Sequence, residues 1–367
     1  MIRDIKGTDM CLRVLNNLNS NYPVTGRNMN WFRPIEANLF LFPQGLEKIG
    51  LSAKKAHKSD LDPSVIFHWK SQYASVVSMM GDEAQGYATV DGMNSEGLVV
   101  NVLYDTPATY GKPKHYLKNG NISILRWPQY ILDSFANVDQ VVNYAKSNTL
   151  QLIREQIPEG GKAKDLMQDK IHLAVSDSNG HSAVIEIKNG ELHVYAGEEN
   201  QIVTNEPDYP TQLDILKYWQ YLWGQTKPAI ATPVFSVPGG VSATQSFERA
   251  AFYLTLSDPA QNPTDVLAQT RALMQNGAIP FAFNPSQKEL ATCTRWTNLS
   301  DHKAGVYYFL NPLNMMPVWL EVNADASQCA RVKLISVNND SGEIDNHQQL
   351  QGEMSRHLMA CEDPYRS

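Results

Sequence analysis

The chain predicts an α+β fold, with two stacked antiparallel sheets and helices on their outer faces. Three observations lead there: short β-rich runs broken by Asn, Gly and Pro at the start, helical periodicity through the middle, and a return of strand patterns near the end. A strictly alternating strand-helix order would point to a parallel sheet, and this order does not alternate.

The elements follow in sequence. Leu12 to Leu15, Pro23 to Arg27 and Asn38 to Phe42 read as short strands of a meander, with turn residues between them. Leu125 to Phe135 and Val138 to Lys146 repeat apolar residues every three or four positions, and Asn137 is placed to cap the second helix. His172 to Val175, Ser182 to Ile187 and Leu192 to Tyr195 are strands joined through Asp177-Ser178-Asn179-Gly180 and Lys188-Asn189-Gly190-Glu191. Asn-Gly in each supplies the positive φ of tight hairpin turns. Helices follow over Pro210 to Trp223, opened by a proline suited to a first turn, Phe247 to Leu256 and Thr264 to Met274. Gly305 to Leu310 and Val318 to Val322 are the returning strands. From Val337 the composition turns polar, and residues 337–367 read as an appended tail with a helix between Gln348 and Met359.

Composition excludes several kinds of partner. At 367 residues and 43% hydrophobic, the chain can bury a core as one large domain or two ordinary ones. A net charge of -7, with no Lys/Arg-dense stretch, argues against a nucleic-acid surface, so the expected partner is a small molecule. Apolar runs such as Gly97 to Tyr104 fall far short of the ~18 to 20 residues needed to span a bilayer, so no membrane partner is expected. Cys11, Cys293, Cys329 and Cys361 form no CxxC pair and read as free thiols, and the nine histidines show no HExxH spacing. No metal and no other cofactor is expected.

Cys11 is the candidate for chemistry. Once the residues before it are removed, its own α-amine, titrating near ~7.7, can take the thiol proton, so one residue serves as nucleophile and base. The other reading is a small buried hydrophobe in the first strand.

Three further runs decide between them: Gly26-Arg27-Asn28-Met29-Asn30-Trp31, Asp91-Gly92-Met93-Asn94-Ser95-Glu96-Gly97-Leu98 and Val203-Thr204-Asn205-Glu206-Pro207. With Cys11, with Trp127 to Phe135, Phe247 to Tyr253 and Thr294-Arg295-Trp296, all in one order from about Met10 to Ile335, the chain resembles the choloylglycine hydrolase and penicillin V acylase family, in its Gram-negative branch. The resemblance implies a four-layer αββα N-terminal nucleophile hydrolase fold over residues 11–336 and cleavage of the linear amide of an N-acyl substrate. It further implies that Cys11 is nucleophile and base, that Arg27 lies beside the thiolate, and that the Asn205 side chain and the Tyr104 backbone N–H bind the oxyanion. Trp31, Phe32 and Tyr104 are candidates to line an acyl pocket, with core packing the other reading for Trp31 and Phe32. Tyr104 stands where bile-salt hydrolases resemble one another in having Asn, which points to penicillin V or acyl-homoserine lactones rather than bile salts. A homotetramer would follow family habit.

Two positions depart from the family pattern. Asn30 stands where the family has an aspartate, and keeps an acceptor without the charge. Ser246 stands where the family has an arginine at the substrate site, and Arg249 is a helical turn away. A non-catalytic N-acyl amide binder on the same fold is therefore the alternative reading. Met1 to Met10 lacks an apolar h-region and reads as a leader, propeptide or misassigned start. The expectation is a cytoplasmic protein as written, and a periplasmic one if a signal peptide precedes Cys11.

Overall fold

In the computed structural model the described residues are 11–58, 61–111, 117–160, 170–285, 292–322, 326–338, 341–345 and 350–366. Residues 1–10, assigned above to a leader, lie outside them.

Two large sheets dominate. The first runs, in spatial order, through Ile202–Thr204, Leu12–Asn16, Val24–Trp31, Cys293–Asp301, Val306–Leu310, Val318–Glu321 and Gly352–Glu353. The second is built on Glu191–Ala196, Ser182–Lys188, Ile171–Ser176, Val99–Tyr104, Gly86–Asn94, Ser75–Asp82, Ala37–Phe42 and Ala330–Val337. Neighbouring strands are antiparallel throughout except at Gly352–Glu353. Helices Ala243–Thr255 and Pro263–Asn276 pack on the outer face of the first sheet, and helices Trp127–Ser134 and Val138–Ser147 on that of the second. This is the four-layer arrangement read from the sequence.

Local chemistry accounts for many boundaries. Asn137 accepts the Gln140 N–H at 3.0 Å and caps its helix as expected. Asn189 and Gly190 take φ of 54° and 83°, which close the hairpin between Ser182–Lys188 and Glu191–Ala196. Two glycines set the layer spacing. A Cβ on Gly26 would fall 2.4 Å from the Met274 side chain, and one on Gly92 2.4 Å from Val77 and 2.8 Å from Leu132, so each lets a helix close on its sheet.

The sequence reading missed the strands Ser75–Asp82, Gly86–Asn94, Val99–Tyr104, Cys293–Asp301 and Ala330–Val337. Most are central. Ser75–Asp82 is buried on both faces along all but its last residue, so no two-residue alternation marks it.

The expected helix between Gln348 and Met359 is corrected for its described part. Gly352 takes a φ of 86° and its N–H goes to the Pro317 carbonyl, while Met354 N–H goes to Trp319. These donors are spent on a sheet edge, and the chain continues through a single 3₁₀ turn at Ser355–His357 into the strand Met359–Ala360, paired with Ala330–Arg331.

Candidate active site

Register brings the candidate residues together. Leu12 pairs with Thr204 and with Asn28, so extending the ladder by one step sets Cys11 across from Asn205 on one side and Met29 on the other. Cys11, Asn205, Asn30 and Arg27 are all buried. Arg27 Nη2 donates to Cys11 Sγ at 3.3 Å and to the Val102 carbonyl of the second sheet at 2.7 Å. Cys11 Sγ in turn reaches the Asn30 carbonyl at 3.8 Å. A guanidinium against a buried sulfur favours the thiolate over the thiol.

Arg27 is itself held from the second sheet. Its Nη1 lies 3.3 Å from Asp91 Oδ2, and Asn101 Nδ2 donates to Asp91 Oδ1 at 2.9 Å. Asp91 belongs to the Asp-Gly-Met-Asn-Ser-Glu-Gly-Leu run, which thus divides its labour. Asp91 meets the arginine, Gly92 admits a helix, and Asn94 Oδ1 accepts the Glu96 and Leu98 N–H groups of the following turn. Sequence reasoning did not assign Asp91 or Asn101, because no local spacing ties them to Arg27.

Burial raises the Asp91 carboxyl to about 6, with Arg27 and Asn101 pulling it down. The unfolded chain ionises this group near ~3.9. The unfolded state therefore loses its proton first, and the carboxyl's contribution to stability falls as pH rises from about 4 to about 6. Asp91→Asn cannot ionise, so in urea unfolding it should gain on the wild type by on the order of 2 kcal/mol between the two ends of that window. An unchanged gap would contradict the assignment. Amide hydrolysis by the same variant should fall, because Arg27 loses the carboxylate that aims it at Sγ.

A small apolar cavity opens beside Cys11 and Arg27. Trp31, Tyr104, Met80, Val102, Leu125 and Ile171 are among its lining. Trp31 and Tyr104 meet edge to face, with centroids 6.3 Å apart, and Trp31 Nε1 donates to the buried Glu159 carboxylate at 2.7 Å. Glu159 also pairs with Arg33, so the carboxylate that holds the indole is itself held by a guanidinium.

The Tyr104 backbone is oriented by its ladder. Asp105 N–H bonds the Lys170 carbonyl, so the alternation turns the Tyr104 N–H to the opposite side, the one on which the Val102 carbonyl meets Arg27. Pairing with Gly86–Asn94 on that side has ended at Asn101.

The remaining candidates stand elsewhere. Phe32 is not among the cavity's lining residues; it packs on Trp31 with centroids 5.5 Å apart, under the Arg33 guanidinium. Asn30 Oδ1 accepts from Thr294 Oγ1 at 2.7 Å, and Thr294 also takes the Ile279 N–H. Ser246 is buried on the Ala243–Thr255 helix, outside the first sheet, where its Oγ accepts from Arg249 Nη2 at 3.3 Å. Ser246 does not line the cavity either. Arg249 is committed to the Asn276, Pro238 and Gly240 carbonyls, each within 2.9 Å. Among the described residues no group of three or more His, Cys, Asp or Glu side chains is placed to hold a metal ion, and no helix is long and apolar enough to cross a membrane.

Two stacked antiparallel sheets between helical layers, with a cysteine opening the first central strand pair, form the N-terminal nucleophile hydrolase fold. Residues 11–330 match the family of linear amide C-N hydrolases known as the choloylglycine hydrolase family, and the chain belongs to it. It is similar to penicillin V acylase from Pectobacterium atrosepticum, 30% identical over 318 residues that cover 83% of this chain and 78% of that one. Among solved structures, penicillin V acylase from Agrobacterium tumefaciens superposes with a TM-score of 0.75 at 25% identity, covering 97% of this chain and 99% of that one. The R18L variant of conjugated bile acid hydrolase from Clostridium perfringens, at 18% identity, shares the fold with a TM-score of 0.70 over 90% of this chain and 100% of its own. The chain is thus a linear amide hydrolase by family.

Proposed function

We propose that Cys11 is an N-terminal nucleophile that cleaves the amide of an N-acyl substrate, with the acyl group seated in the apolar cavity. The observation that carries this reading is the Arg27 guanidinium 3.3 Å from a buried sulfur at the edge of that cavity. The α-amine of a released Cys11 takes the thiol proton, and the thiolate attacks the amide carbon. Negative charge then collects on the former carbonyl oxygen, where the Asn205 side-chain amide and the Tyr104 N–H donate to it. Collapse breaks the C–N bond, and the α-ammonium returns its proton to the leaving amine. Water then attacks the thioester with the same amine as base, releasing the carboxylate and restoring the thiol.

The aromatic pair Trp31 and Tyr104 suits a flat or linear acyl group, and the similarity to two penicillin V acylases supports penicillin V over a conjugated bile salt, with an acyl-homoserine lactone as the other proposed substrate. Intact-mass measurement on protein quenched during turnover tests the assignment. An acyl adduct on Cys11, with amine release fastest from phenoxyacetyl or linear acyl amides, is the expected result. Fastest release from a bile-salt conjugate would overturn the substrate class, and binding of N-acyl amides with neither adduct nor release would leave a binder in place of an enzyme.

Asn205→Ala should lower kcat by ~10²–10³ with a smaller change in KM, because a lost oxyanion donor acts on the transition state. A variant within threefold of wild type in kcat would remove Asn205 from the oxyanion site.

A further inference from the structure

The C-terminal residues pack against the wall of the Cys11 cavity. Tyr365 is buried, and its hydroxyl accepts the Thr89 N–H at 2.9 Å, lies 3.0 Å from Thr89 Oγ1, and donates to the Leu125 carbonyl at 3.2 Å. Thr89 and Leu125 both line the cavity. The Arg126 guanidinium covers the Tyr365 ring at 4.9 Å.

This end of the chain is fastened to the second sheet by the pairing of Met359–Ala360 with Ala330–Arg331. One step past that pair, Cys361 N–H donates to the Cys329 carbonyl at 3.0 Å and the two sulfurs lie 3.3 Å apart. Their surroundings differ. Cys329 is buried, whereas Cys361 is half-buried and lines an open groove with about 1250 Å³ of empty space, shared with Tyr87, Arg126 and Arg331. The hydrogen bond from Cys329, with help from Arg331, lowers the pKa of Cys361, and the same bond with burial raises that of Cys329. An accessible thiol of lowered pKa backed by a buried thiol is what thiol-disulfide exchange requires.

We propose that Cys329 and Cys361 are a redox pair that closes into a disulfide by exchange with an external disulfide entering the groove, and that closure fixes the C-terminal segment against the cavity wall. The Cys361 thiolate attacks one sulfur of the external disulfide and expels its other half as a thiolate. Cys329, giving its proton to solvent, then attacks Cys361 Sγ and expels the remaining half. The two protein thiols lose two electrons and two protons, and the external disulfide becomes two thiols.

The test treats the full chain with oxidised glutathione, blocks residual thiols with N-ethylmaleimide, and maps the peptides by mass. The expected result is loss of two hydrogen atoms from the intact mass, a cross-linked peptide containing Cys329 and Cys361, and slower amide hydrogen exchange over residues 361–366 in the oxidised protein. Cys329→Ala should stop at a stable glutathione adduct on Cys361, and Cys361→Ala should leave Cys329 unreacted. A wild-type adduct that persists on Cys361 while Cys329 remains open to alkylation after unfolding, or no reaction at either sulfur, would overturn the redox pair. A disulfide without any change in exchange over residues 361–366 would overturn its link to the cavity wall.

Discussion

Cys11→Ala is expected to abolish amide hydrolysis, by on the order of 10⁴-fold or more, while leaving the fold and its unfolding midpoint close to those of the wild type. The structural reason for the second half is that Cys11 makes sulfur contacts to Arg27 and to the Asn30 carbonyl but sits at the edge of a cavity, so removing one sulfur leaves the sheet packing intact. Arg27 keeps Asp91 and the Val102 carbonyl as partners in the variant. Cys11→Ser should be nearly as impaired, because a hydroxyl is a poorer nucleophile than a thiolate at neutral pH. Steady-state hydrolysis of penicillin V with thermal unfolding on the same samples is the measurement. More than a few percent of residual turnover in Cys11→Ala would take this residue out of the mechanism.

A chain in which residues 1–10 remain attached should be inactive, and release of Cys11 as the first residue should supply essentially all the activity. The lone pair of an acylated α-nitrogen is delocalised into the amide carbonyl and cannot accept a proton, so attachment removes the base. The comparison is between protein whose intact mass proves an N-terminal cysteine and protein whose mass proves the longer chain, assayed side by side. Equal turnover in the two would end the terminal-amine mechanism while leaving Cys11 available as a nucleophile with another base, which the alanine variant then judges.

Local signals in the sequence determined the helices, their caps and the tight turns. Asn137 caps through a donor three residues away, and Asn189-Gly190 closes a hairpin through its own φ values, so both are decided within a few residues. Motif order also placed Cys11, Arg27, Asn30 and Asn205, because two neighbouring strand pairs carry them to one end of the first sheet. Only the tertiary structure decided what those residues touch. Asp91 reaches Arg27 across the gap between the two sheets, and Thr294 reaches Asn30 from 264 residues further along the chain. The same stacking set Ser246 on an outer helix and returned a polar C-terminal stretch to bury Tyr365 beside the cavity. Hydrophobic period and turn chemistry are properties of adjacent residues, whereas the partner of a buried charge is chosen by which faces the sheets turn toward each other. No short window of sequence carries that information.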